Sequence, residues 1–133
     1  GYDTHDNQLY RHDILMNNLS SSISSFISDL NNQGLHENIV VMTTSEFGRR
    51  PFENGANGTD HGTSAPHFLI GSNINSSIIG GNPDLSAFDN NQNLFHTIDY
   101  RQIFTTLITE WFGHSQSIAD NTFNGSFEPL GLF

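Results

Sequence analysis

Cysteine is absent from this chain, which excludes disulfides and thiolate metal sites and leaves any bound metal to nitrogen and oxygen donors. Lysine is absent as well. The basic residues are four arginines, Arg11, Arg49, Arg50 and Arg101, against 14 acidic residues, for a formal charge of −10. So acidic a chain has no electrostatic footprint for DNA or RNA, and nucleic acid drops out as a partner class. Long apolar runs are missing too: none approaches the roughly 18 residues that a membrane span requires. Apolar residues make up 35% of the sequence, so the 11 phenylalanines must supply much of any core. Charged residues are scarce at 14%, and Asn and Ser carry the polar surface instead. A length of 133 residues suits a single domain.

Five patterned segments set the architecture. From about His12 to Asn32, Leu15, Leu19, Ile23, Phe26, Ile27 and Leu30 recur at spacings of three and four, predicting a helix with one apolar stripe that Gly34 stops. Asn38 to Thr44 (NIVVMTT) is short, apolar and β-branched, and reads as a strand buried on both faces. Helix, tight turn and buried strand together are the αβ half of a parallel α/β unit. Pro66 to Gly71 reads as another short strand and Ser77 to Gly80 as a third, with a turn-rich stretch from Gly80 to Asn93. A second helix is expected from Tyr100 to Phe112, capped by Asp99 and stopped by Gly113. From His114 onward the chain is polar and then ends on Phe127, Leu130, Leu132 and Phe133.

The chemistry gathers between Val40 and Gly62, VVMTTSEFGRRPFENGANGTDHG. A buried strand stopping at Glu46, then a Gly/Asn-rich loop presenting Asp60-His61, is how α/β enzymes place ligands at the carboxyl edge of a sheet. Arg49 and Arg50 are half of the basic residues in the chain. They could hold an anionic substrate group, balance Glu46, or form an ordinary surface ion pair. At the start of the chain, Asp3 and His5 are two residues apart. In an extended segment they share a side, where they could converge on a cation or simply decorate a polar turn.

Gly1-Tyr2-Asp3-Thr4-His5, Ser45-Glu46-Phe47-Gly48-Arg49 and Gly58-Thr59-Asp60-His61-Gly62, in that order, resemble the motifs of a widespread bacterial family, domain of unknown function 1501. Asp99 to Gly113, DYRQIFTTLITEWFG, is similar to the closing helix of that family, which is placed in the alkaline phosphatase/sulfatase-like superfamily. The resemblance implies an αβα sandwich with metal sites at the carboxyl edge of its sheet, of which this chain would be the C-terminal portion. It assigns one metal to Asp3, His5 and His61. The second metal of the superfamily takes an Asp-His pair where this chain has Glu46 and Phe47; Glu46 could ligate and Phe47 cannot, so one site is expected rather than two. A divalent ion, zinc first, is the implied cofactor. Arg49 would steady the anionic group of a small substrate, and Asp60 would be an auxiliary ligand or would orient His61 from behind. The nucleophile is expected upstream of Gly1, and with it a missing N-terminal portion or a partner chain.

Two functions follow as expectations. One is a metal-dependent hydrolase of phosphate or sulfate esters, exported to the periplasm or beyond, as the resemblance implies. The other is a non-catalytic secreted or surface-associated binding or assembly module with a degenerate metal site.

Overall fold

The computed structural model describes residues 1–75 and 78–133. In chain order its elements are helix α1 (Gln8–Gln33), a 3₁₀ turn (His36–Asn38), strands β1 (Val41–Met42), β2 (Gly48–Glu53), β3 (Thr59–Gly62) and β4 (Leu69–Ile70), helix α2 (Tyr100–Thr106), which runs on into a π-helical turn (Leu107–Trp111), and helix α3 (Gln116–Phe123). The chain divides into two units. The first comprises Gly1–Ser72 and Pro83–Phe95, the second Asn73–Asn82 and His96–Phe133. Helices and small antiparallel sheets share the chain, in keeping with an α/β fold.

In the first unit, α1 begins at Gln8, earlier than the apolar stripe predicts, after Asn7 turns the chain in the left-handed region at φ 41°. Gly34 ends the helix at φ 70°, a conformation that glycine adopts without steric cost, and its N–H and that of Leu35 return to the last helical carbonyls. Leu30 is the buried residue of the stripe; Leu15, Leu19, Ile23 and Ile27 are half-buried, whereas Phe26 is exposed.

The expected strand from Asn38 to Thr44 contracts to β1, half-buried rather than covered on both faces. It pairs antiparallel with β4, Val41 opposite Ile70 and Met42 opposite Leu69, which corrects the parallel arrangement. Side-chain chemistry ends this ladder early. Thr43 N still donates to Phe68 O, but Phe68 N turns to Thr43 Oγ1 and the Thr43 carbonyl takes a ring nitrogen of His67, so hydroxyl and imidazole stand in for one backbone bond of the next pair. The strand expected from Pro66 to Gly71 comes down to Leu69–Ile70.

The β2–β3 hairpin stands where a loop is expected from Pro51 onward. Its register sets Gly48 opposite Gly62, Arg49 opposite His61 and Glu53 opposite Thr59, with an irregularity between Arg49 and Glu53. Pro51, which has no N–H to give to the ladder, lies within that irregular stretch.

In the second unit, Asp99 caps α2 as the sequence predicts: its side chain accepts from Arg101 N, and Gln102 Oε1 accepts from Asp99 N. Gly113 follows at φ 67°. Helix α3 forms in the stretch read as polar tail, and Phe104 meets Phe123 at 6.2 Å between ring centroids. Arg101 lies over the Phe127 ring, and Leu130 N donates to Thr106 Oγ1. The third strand expected from Ser77 starts outside the described residues, and Ile78–Gly80 carries no regular structure. Among the described residues, the buried apolar side chains are Leu30, Ala119 and Leu132.

Candidate metal centre

The hairpin is built before the site. Asn54 shapes its turn: Asn54 Oδ1 accepts from the N–H groups of Ala56 and Gly58, and Asn54 N donates to Gly58 O. Asn57 sits at φ 58°, a region that asparagine tolerates better than most residues. The opening segment is then stitched onto this turn. Asn7 N donates to Ala56 O, Gln8 N to Asn57 O, and Asn54 Nδ2 to His5 O. Gly58 makes the approach possible, because a Cβ there would lie 2.2 Å from the His5 carbonyl oxygen.

Arg49 ties the segment down from the other side. Its NH1 donates to the carbonyls of Thr4 and Thr59, both at 2.7 Å, and NH2 donates to Asp3 Oδ1 at 2.5 Å. Thr4 is fully buried between the residues that carry the candidate ligands. The guanidinium proposed to receive an anionic substrate group is thus engaged by the protein itself. Arg50, the other half of the pair, holds a half-buried position in β2; hydrogen bonds from Asn93 are the main cause that holds the Asp89 carboxyl below its ordinary range, and the charge of Arg50 adds only a minor part.

Asp3, His5 and His61 come together at one point. Asp3 Oδ1 is 2.9 Å from His5 Nε2 and 3.0 Å from His61 Nε2, and the two imidazole nitrogens are 3.0 Å apart. The hydrogen bond from His61 is the main cause that holds the Asp3 carboxyl below its ordinary range; partial burial opposes it, while the charges of His5, His61 and Arg49 add to it. Each of the three side chains is about half exposed (45–50%), so the cluster opens to solvent.

Two imidazole nitrogens facing each other across 3.0 Å cannot both present lone pairs without something between or beside them. A proton satisfies one arrangement and a cation another. The donor set of two imidazoles and one carboxylate suits zinc and similar divalent ions, so the residues fit the implied cofactor. The fit comes from three protein donors on one open face, which leaves room for a further ligand.

Neighbouring residues divide into those that serve the cluster and those that do not. Along a strand successive side chains alternate, so Asp60 and His61 turn opposite ways. Asp60 Oδ1 lies 3.9 Å from His5 Nδ1 and accepts from Asn54 Nδ2, which sets it behind His5 rather than behind His61. Glu46 is exposed at the bend before β2 and stands outside the cluster. The same alternation sends Gly48 against the backbone of Ser64, where a Cβ would meet a carbonyl oxygen at 2.0 Å. Phe47 instead stacks on the His61 ring, with centroids 3.6 Å apart and planes 14° from parallel. Sequence reasoning missed Asn54 and the Thr4 carbonyl as parts of the site. An Asn four residues before a Gly, in a run of turn formers, was the available signal for the first.

Residues 1–120 match the sequence profile of a family described as protein of unknown function DUF1501. The chain belongs to the DUF1501 family. No curated protein and no solved structure matches it. Family membership reaches past the hairpin and the cluster through most of the second unit, so Asp3, His5 and His61 all lie in the shared region.

Proposed function

We propose that this DUF1501 chain binds one divalent metal ion through Asp3, His5 and His61 and contributes that centre to the hydrolysis of phosphate or sulfate esters. The observation that carries the reading is the mutual approach, within 3.0 Å, of one carboxylate oxygen and two imidazole nitrogens delivered by segments more than 50 residues apart in sequence. When bound, the ion would supply a Lewis acid for an ester oxygen. The chain's own residues hold and orient the donors: Arg49 fixes Asp3, Asp60 stands behind His5, and Phe47 backs His61. Zinc is the first choice for an N,O set of this kind. Placing Glu46 outside the cluster and Phe47 beside it favours one ion over two.

The αβα sandwich belongs to the same proposal, with this chain as its C-terminal portion. What supports it is the scarcity of buried apolar side chains among the described residues, beside apolar side chains on α1 such as Leu9 that stay 90% exposed. The proposal also makes the protein an exported one, to which a lysine-free, Asn/Ser-rich surface is suited. A second reading, a non-catalytic binding module with a structural ion, is favoured by Phe47, a residue that cannot ligate at a motif position beside Glu46.

Metal analysis of the purified protein, together with turnover of aryl phosphate and aryl sulfate esters, separates these readings. Near-stoichiometric metal in wild type and His114→Ala, lost in His61→Ala, is the expected result. Equal metal content in wild type and His61→Ala would sink the assignment. Metal binding without ester turnover would select the binding module.

A further inference from the structure

The motif Ser45-Glu46-Phe47-Gly48-Arg49 does more than pass between two strands. Ser45 Oγ donates to the Phe47 carbonyl at the turn that leads into β2, and the Phe47 ring faces the cluster. Two residues on, Arg49 points the same way and lies opposite His61 in the hairpin register. His61, Phe47 and Arg49 then form a stack: the Phe47 ring lies 3.6 Å from the imidazole centroid, and the Arg49 guanidinium carbon lies 5.6 Å from the Phe47 centroid.

A metal-binding histidine ordinarily has its ring orientation set by a hydrogen bond from its second nitrogen. His5 has a carboxylate on that side, Asp60 at 3.9 Å. His61 differs. Its hydrogen bonds among the described residues run through Nε2, the nitrogen that faces the cluster. A further contact is the face of Phe47, stacked on the ring, which leaves the in-plane direction of Nε2 unobstructed while restricting rotation of the ring.

We propose that Phe47 is a positioning residue for the metal centre, fixing the His61 ring by stacking where a hydrogen-bonded partner would ordinarily do so. The inference rests on the metal reading above and adds a residue that cannot itself ligate. It also gives Phe47 a reason to stand at a motif position where a ligand side chain would be usable: a flat ring, rather than a donor, is what His61 requires there.

The test is titration of the full chain with Zn²⁺ and with Co²⁺ alone, the latter followed by its visible absorption bands, for wild type, Phe47→Tyr, Phe47→Leu, Phe47→Ala and His61→Ala. Tyr keeps the flat face, and Leu keeps apolar volume without it. We expect Tyr to bind within about threefold of wild type, and Leu and Ala to bind on the order of tenfold or more weakly, with altered Co²⁺ bands. Leu and Ala binding within about twofold of wild type, with unchanged bands, would overturn the proposal. Nuclear Overhauser contacts between the His5 and His61 rings, whose centroids lie 4.8 Å apart, provide a metal-free measure on the same proteins. Loss of these contacts in Phe47→Leu is expected, and their persistence counts against the proposal. Wild type that takes up neither metal defeats the metal reading, while the ring contacts still decide whether Phe47 positions His61.

Discussion

Replacing Gly58 with alanine tests how the opening segment is held to the hairpin. The new Cβ would lie 2.2 Å from the His5 carbonyl oxygen, 2.3 Å from its carbon and 2.8 Å from Asp6 N. These are backbone atoms that no side-chain rotation can move away. The backbone at Gly58 lies outside the left-handed region, so the effect is steric rather than conformational. Overpacking of this kind costs about 1–3 kcal/mol. Displacing the segment also endangers the Asn7–Ala56 and Gln8–Asn57 backbone hydrogen bonds, each worth about 1 kcal/mol. A total of about 3 kcal/mol in a unit of this size lowers the melting temperature by roughly 10 °C or more. Gly55→Ala is the matched control, since nothing lies within 4 Å of its Cβ position and its φ is not left-handed. Calorimetry should show Gly55→Ala within about 0.5 kcal/mol of wild type or slightly more stable. Metal titration should show Gly58→Ala losing affinity along with stability, because His5 and Asp3 move with the segment. A Gly58→Ala protein that melts and binds metal like wild type would refute the account of how the site is assembled.

Two further predictions concern the second unit. Asp99 is held down to about 2 from an ordinary 3.8, first by the hydrogen bond from the Arg101 guanidinium and against burial, which raises it. A carboxyl depressed on folding contributes stability that is present above its unfolded value and lost as pH falls toward its folded value. After discounting for solvent around the pair, Asp99→Asn should cost about 1 kcal/mol at pH 7 and roughly half that near pH 3, read from melting curves; an equal cost at both pH values would contradict this. Glu110 collects three tail N–H groups, those of Gly131, Leu132 and Phe133, at 2.9, 2.7 and 3.2 Å. Glu110→Gln turns one acceptor oxygen into a donor. It should therefore release the tail, speed amide exchange at residues 131–133 by about tenfold, and change Trp111 fluorescence by freeing Phe133 from it; unchanged exchange would show that the carboxylate does not hold the tail.

Legibility followed locality. The α1 stripe, its Gly34 stop and the Asp99 cap were readable because each depends on residues within a turn or two of one another. Helix α3 was not, because Gln116–Phe123 carries few apolar residues and Ile118 stays 45% exposed. The β2–β3 hairpin was hidden by Pro51, a residue that argues against a strand until the irregularity beside it is known. The pairing of β1 with β4 could not be seen either, since NIVVMTT fits a parallel or an antiparallel neighbour equally well. For the cluster, local pattern offers Asp3 with His5 and, separately, His61. Their meeting depends on the Arg49–His61 register and on the Asn54 turn, neither of which is a local property.

The way the site is held also determines which experiments on it can be interpreted. Ion pairs between half-exposed side chains contribute little to stability, so the Asp3, His5 and His61 contacts are weak reasons for the fold. What fixes these residues is mostly main-chain bonding. Arg49 NH1 joins the Thr4 and Thr59 carbonyls, Asn54 joins the His5 carbonyl to the turn, and Asn7 and Gln8 donate to Ala56 and Asn57. None of those bonds involves a candidate ligand side chain. Apart from the Arg49–Asp3 bond, the three polar groups crowded within 3.0 Å of one another do not hold the backbone that presents them, and they form a group that could bind a cation. Removing the His61 imidazole should consequently leave the hairpin intact, so that loss of metal in that variant reports on the donor and not on unfolding.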